Sequence, residues 1–124
     1  MEKRAWLFCR VGGGHEHDGK EILAQQERKL LDYCAEQGLR VAGSTAAIGT
    51  GREELEKLVD EGIAHDSFDV LVSASISRLG RNIMDVLSTA HKLEENGIGL
   101  CLVKEGICTM PVHENDVEMG GLAL

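Results

Sequence analysis

The sequence predicts an α/β fold: a three-layer sandwich in which a mostly parallel sheet of four to five strands carries helices on both faces. Three observations predict it. Short apolar runs alternate with stretches of helical period, in the order βαβαβαβ. The apolar runs are continuous, as in strands buried on both faces. Glycine or Asn-Gly stands where two of the helical stretches end. At 124 residues the chain fits one domain. A domain of this size buries roughly two-thirds of its unfolded-chain surface, enough for an ordinary core.

Residues 5–11, Ala-Trp-Leu-Phe-Cys-Arg-Val, form the first predicted strand. Residues 20–37 follow a helical period, with Leu23, Leu30, Leu31 and Cys34 on one face and Gly38 as the stop. Leu39 to Ser44 reads as the second strand. Thr50-Gly51-Arg52-Glu53 has the spacing of a capping box, in which the Thr50 hydroxyl and the Glu53 carboxylate satisfy backbone N–H groups reciprocally. The helix it opens carries Leu55, Leu58, Val59 and Ile63 on one face. Phe68 to Val72 is the third strand. Asn82 caps the next helix, with Asp85 in its first turn and Ile83, Val86, Leu87, Ala90 and Leu93 as its apolar stripe. Asn96-Gly97 ends it, and Ile98 to Val103 is the fourth strand. Residues 109–124, with mixed charges and then Gly120-Gly121, read as poorly ordered or as the first turn of an unfinished helix.

The formal charge is −8, from 13 basic and 21 acidic residues. That argues against a general polyanion binder, which is usually basic, while leaving room for a local basic site. Cys9, Cys34, Cys101 and Cys108 lack Cys-x-x-Cys spacing, two lie in apolar runs, and a disulfide framework is not expected. The N-terminus carries no signal-peptide cleavage pattern, and no apolar run approaches a membrane span. A cytoplasmic protein without a membrane partner is the expectation.

Arginines stand where predicted strands give way to loops. Arg10 ends the first strand, before Gly12-Gly13-Gly14, and Arg78 and Arg81 follow the third within Ser77-Arg78-Leu79-Gly80-Arg81. In a parallel sheet these converge at the carboxyl edge, where open α/β folds place their sites. A guanidinium fork donates two parallel hydrogen bonds to a phosphate and stays charged. A phosphodiester transition state needs such fixed charge. Arg52 adds a fourth from a helix N-terminus, where the macrodipole also favours anions. A dinucleotide reading of the glycines fails, because His17 stands where the third glycine would fall. His15-Glu16-His17-Asp18 lacks distant partner ligands and reads as a solvated polar turn, so neither a metal nor a cofactor is expected.

Taken together, these segments resemble the catalytic domain of serine site-specific recombinases, the resolvase/invertase family. Leu7 to Val11 is similar to that family's first strand, Tyr-x-Arg-Val-Ser, with Phe8 in place of tyrosine. Gln26-x-x-x-Leu30-x-x-Tyr33 is similar to its first helix, where the glutamine helps place the nucleophile. Arg52-Glu53-Glu54-Leu55 stands for Arg-Pro-Gly-Leu, so the resemblance makes Arg52 an active-site arginine. Phe68-Asp69-Val70-Leu71-Val72 followed by Ser77-Arg78-Leu79-Gly80-Arg81 is the most specific match. Glu105-Gly106-Ile107-Cys108-Thr109 resembles Asp-Gly-Ile-Ser-Thr, and Glu118-Met119-Gly120 resembles the start of the long helix used for dimerisation and DNA contact. The resemblance implies a resolvase-like domain over 1–108, a C-terminal segment over 109–124, DNA as partner, weakly or through a further C-terminal region, and assembly with itself or a partner recombinase.

The departures bear on activity. In the family a serine hydroxyl attacks the scissile phosphate, forms a 5′-phosphoserine link and releases a 3′-hydroxyl without a metal. Here that position is Gly12. Ser77 stands where many members have aspartate. About five extra residues separate Gly12 from Gln26, judged by motif spacing. The expectation is therefore a DNA recombination fold with impaired strand cleavage, a pseudo-enzyme whose site is Arg10, Gly12, Gln26, Arg52, Ser77, Arg78 and Arg81. The alternatives are a competent recombinase with a different attacking group, and a non-catalytic anion- or nucleotide-binding regulatory module on the same fold.

Overall fold

The computed structural model describes residues 2–14 and 17–109. Strand β1 spans Arg4–Val11, helix α1 Gly19–Gln37, β2 Arg40–Ile48, α2 Arg52–His65, β3 Val70–Ser73, α3 Ile83–Glu95, β4 Gly99–Leu102 and β5 Ile107–Thr109, with a 3-10 turn at Ile76–Arg78. The five strands form one sheet in the order β2-β1-β3-β4-β5. The first four are parallel, and β5 runs antiparallel to β4. Strand order reverses direction between β1 and β3. This is the switch point at which open α/β sheets leave a crevice.

The central strands are buried on both faces, which explains their continuous apolar runs. Alternate residues feed two cores. Ala5, Leu7, Cys9, Val70, Val72 and Cys101 pack with Leu30 and Cys34 of α1. Phe8, Leu71, Leu100 and Leu102 pack with Leu55, Leu58 and Val59 of α2 and Val86 and Leu93 of α3. Each large side chain removed from water here contributes about 1.5–3 kcal/mol. The three-layer sandwich is as the sequence predicts.

Several boundaries differ, each for a tertiary reason. β2 runs on to Ile48, because Thr45–Ile48 pair with Phe8–Val11 of β1; strand pairing overrides the weak β-propensity of its alanines. β3 begins at Val70, not Phe68. The Phe68 ring instead lies on Gly62 of α2, where a Cβ would come within 2.3 Å of it. The capping box does not form. The N-cap of α2 is Gly51 in the left-handed region at φ 69°, with no side-chain cap, and Thr50 Oγ1 accepts only from Arg52 N–H at 3.4 Å. The Asn82 cap does form, accepting from Asp85 N–H at 3.0 Å. On α1 the buried face is Gln26, Leu30 and Cys34, with Leu31 turned to solvent. On α3, Ile83 and Leu87 are exposed together with Met84. The inward line is Val86, Ala90 and Leu93.

The disulfide expectation is corrected. Cys101 and Cys108 are disulfide-bonded, while Cys9 and Cys34 are free and buried. Strand β5 sets Cys108 directly opposite Cys101, with Cα atoms 4.0 Å apart. Residues 110–124, which include the segment read as the start of a long helix, and His15 and Glu16 of the polar turn lie outside the described residues. Among those described, no helix is long and apolar enough to cross a membrane, and no three His, Cys, Asp or Glu side chains are grouped to hold a metal ion.

At the amino edge of the sheet, Asp69 is gripped by Arg4. Its Oδ2 accepts from Arg4 N–H at 2.8 Å and Nε at 3.2 Å, and Oδ1 accepts from Nη2 at 3.2 Å. The Arg4 hydrogen bonds hold the Asp69 carboxyl below its ordinary pKa. The stabilisation is therefore complete above about pH 4 and is lost as pH falls through the depressed folded value. Asp69→Asn is expected to cost roughly 1–2 kcal/mol at pH 7 and to flatten the acid limb of the stability curve, measured by denaturant unfolding between pH 3 and 7.

Candidate active site

The site is assembled where β1 and β3 end side by side. Gln26, on the buried face of α1, reads the Arg10 peptide with both ends of its amide. Its Oε1 accepts from Arg10 N–H at 3.1 Å, and its Nε2 donates to the Arg10 carbonyl at 2.7 Å. This locks the last turn of β1 to the helix and fixes the direction in which the Arg10 side chain leaves the strand.

That side chain crosses the carboxyl edge. Arg10 Nη1 donates to the Gly49 carbonyl at 2.6 Å, Nη2 to Ser77 at 2.8 Å, and Nε to Arg78 at 3.3 Å. Arg78 returns the contact, with Nη1 donating to the Arg10 carbonyl at 3.0 Å. Of the five N–H donors a guanidinium has, Arg10 thus spends three on the loops after β2 and β3. It acts here as a clasp between strands, with two donors left. Burial, then repulsion from Arg78 and Arg81, lowers its pKa from the ordinary arginine value. Like charges are thus concentrated at this edge of an acidic chain. Arg78 Nε is buried without an acceptor among the described residues, a donor that the cluster leaves unsatisfied.

Arg52 and Arg81 stand beside this group, lining a cavity of about 270 Å³ with Thr50, Leu79, Gly80 and Asp85. Arg52 pairs with Asp85 at 2.8 Å and Glu56 at 3.1 Å. The Asp85 hydrogen bond leads the causes that raise its pKa. An incoming anion at Arg52 competes with these two carboxylates. Ser77 is exposed, and its Oγ lies 2.8 Å from Ser75 Oγ. Ser73, by contrast, is buried and donates to the Phe8 carbonyl at 3.2 Å. Cys9, one residue before Arg10, is buried, and desolvation, reinforced by Glu27, pushes its thiol up to about 11. It is a thiol at neutral pH and not a nucleophile.

Gly12 lies two residues beyond Arg10. A Cβ built there meets nothing within 4 Å, and its φ lies outside the left-handed region. The position therefore has room for a side chain.

The structure thus links Arg10, Gln26, Ser77 and Arg78 by direct hydrogen bonds, with Gly12 at the strand end and Arg52 and Arg81 around the adjoining cavity. Sequence reasoning missed three contributors. The Gly49 carbonyl holds Arg10, Asp85 neutralises Arg52, and Gly51 makes room: a Cβ there would sit 2.7 Å from Arg10 Cδ. The glycines in Gly49-Thr50-Gly51, both at positive φ, were the available signal.

Gln26→Ala is expected to lose roughly 1–2 kcal/mol, because it leaves the part-buried Arg10 N–H without its acceptor while the Arg10 carbonyl keeps Arg78. Gly51→Ala is expected to destabilise comparably, through its positive φ and its collision with Arg10. Chemical denaturation measures both. A loss under 0.5 kcal/mol, the range of a neutral surface change, would contradict the clasp.

Residues 6–121 match the protein family described as "Resolvase, N terminal domain". No curated protein matches the chain. Among solved structures, a resolvase family site-specific recombinase from Streptococcus pneumoniae is 22% identical, with TM-score 0.76 over 98% of this chain and 86% of that one. The N-terminal catalytic domain of TP901-1 integrase is also 22% identical, with TM-score 0.71 over 98% and 88%. The C-terminal catalytic domain of ISC1926 TnpA, an IS607-like serine recombinase, is 25% identical, with TM-score 0.70 over 81% and 70%. Together with the switch-point sheet and its arginine edge, the family match places this chain among the resolvase-type serine recombinases, through their catalytic domain.

Proposed function

We propose that this catalytic domain keeps the family's phosphate-binding edge but lacks its attacking atom, so that it binds DNA at the scissile position without cutting it. Residues 1–108 are the catalytic unit in this reading, and 109–124 are a separate C-terminal segment. The observation that carries the proposal is the pairing of an open, side-chain-free position at Gly12 with a clustered, partly unsatisfied set of arginines at Arg10, Arg78 and Arg81.

Arg10 and Gln26 are positioning residues in this scheme, shaping the strand end. Arg78, Arg81 and Arg52 supply the charge that a phosphate meets. Ser77 sits among them with an exposed hydroxyl, and the neighbouring serines do not replace the lost one. Covalent catalysis needs near-attack geometry, and a misplacement of about 1 Å costs ~100-fold. The outward apolar side chains of α3, Ile83, Met84 and Leu87, supply a surface for assembly with another copy or an active recombinase. The result is a modulator of recombination in place of a cutter.

The test is cleavage of supercoiled DNA carrying a recombination site, with denaturing gels to detect covalent protein–DNA adducts. The unmodified chain is expected to form none. Gly12→Ser is expected to gain a phosphoserine adduct: the new Oγ–P bond forms as the P–O3′ bond breaks, and the 3′-hydroxyl leaves with a proton. An adduct from the unmodified chain would overturn the proposal, and its loss in Ser77→Ala would identify the substitute nucleophile. Arg78→Ala and Arg81→Ala are each expected to weaken DNA binding and to reduce the log–log salt slope by about 1, read by fluorescence anisotropy.

A further inference from the structure

The far edge of the sheet carries a feature that strand cleavage does not use. Cys101 is fully buried on β4, and Cys108 lies on exposed β5, bonded to it across the antiparallel pair. β5 is three residues long and exposed throughout. Apart from the disulfide and its short ladder, it is held by the Thr109 hydroxyl, which accepts from Leu100 N–H at 3.1 Å and donates to the Leu100 carbonyl at 3.3 Å. So short an edge strand opens easily when no covalent bond retains it.

The turn between Cys101 and Cys108 rests on the segment that leads into the arginine edge. Val103 N–H donates to Ser73 at 3.1 Å, and Lys104 N–H to Ala74 at 2.8 Å. Glu105 Oε1 accepts from Ile76 N–H at 3.1 Å. Ile76 opens the 3-10 turn that carries Ser77 and Arg78, whose carbonyls Arg10 holds.

We propose that Cys101 and Cys108 form a reversible dithiol–disulfide site that sets how firmly Glu105 holds the Ile76–Arg78 turn. The coupling is a property of the fold. Its consequence for DNA binding rests on the reading above. In the reductive direction, a thiolate of a low-molecular-weight thiol attacks Cys108 Sγ on the exposed strand. The S–S bond breaks, and Cys101 Sγ leaves as a thiolate that takes up a proton. A second molecule of that thiol attacks the mixed disulfide at the small molecule's sulfur and releases Cys108 as a thiol. Two electrons pass to the protein bond, and the small thiol is oxidised to its disulfide. The reverse reaction uses a low-molecular-weight disulfide as oxidant. Cys9 and Cys34 stay outside this exchange, because burial raises both thiols.

The test equilibrates the whole chain in glutathione buffers from reducing to oxidising, then traps thiols by acid quench and alkylation under denaturing conditions. Intact mass is expected to pass from four alkylated cysteines to two, the remaining pair being Cys9 and Cys34. In parallel, amide hydrogen exchange at Ile76 is expected to be roughly tenfold faster in the reduced form, with Leu7 and Leu71 unchanged. Cys108→Ser should exchange like the reduced form in either buffer. Glu105→Ala should exchange fast in both while retaining the disulfide. If Cys108→Ser fails to fold, the reduced unmodified chain supplies the comparison. Four alkylated cysteines at every poise, or equal Ile76 exchange in both forms, would overturn the proposal. Neither measurement involves DNA, so failure of the DNA-binding reading is seen separately.

Discussion

The carboxyl edge of this sheet depends on one partly buried guanidinium. Arg10 leaves β1 and binds three carbonyls from two loops, while Gln26 and Arg78 bind its own backbone. A charge taken from water is costly unless its donors are met. Carbonyl dipoles meet three of them without cancelling the charge. The edge therefore stays cationic, which an ion pair with a carboxylate would have prevented. Gly51 is part of the same solution, since only a residue without a Cβ lets the Arg10 stem pass. The clasp explains why loops distant in sequence end side by side at this edge.

Around that clasp the charge is graded. Burial, then repulsion from Arg78 and Arg81, lowers the Arg10 pKa. Arg52, farther out, is balanced by Asp85 and Glu56. The inner arginines thus offer charge directly, whereas Arg52 offers it only after carboxylates are displaced. An acidic chain of net charge −8 thus gathers arginines at this edge, a local cluster of one sign within an otherwise acidic surface. Gly12 stands at the same edge with open space around it, so the frame has room there for a side chain.

Elements away from the site bear on it through the backbone. The turn after β4 rests on residues 73–76, and the 3-10 turn that follows presents Ser77 and Arg78. α3 contributes Val86 and Leu93 to the core and leaves Ile83, Met84 and Leu87 outward. Its stripe is wider than the sheet can cover. Such apolar width on one helix is a feature of surfaces that meet a partner.

The sequence by itself determined the layer order, the alternation of strands and helices, and the convergence of Arg10, Arg78 and Arg81. Periodicity and the place of glycines are local quantities, and a parallel sheet brings its strand ends to one side. Gln26 and Gly12 were singled out in the sequence because the family resemblance carried them. Tertiary structure decided what local pattern leaves open. It lengthened β2 because β1 offered a partner, and it replaced the Thr50–Glu53 capping box by a left-handed Gly51. It also turned Arg10 toward carbonyls and paired Arg52 with Asp85. It bonded Cys101 to Cys108 because an antiparallel strand of three residues set them opposite each other. Each of these depends on which distant group supplies a donor, an acceptor or free space. That information lies in the packing of the chain against itself, not in the spacing of residues along it.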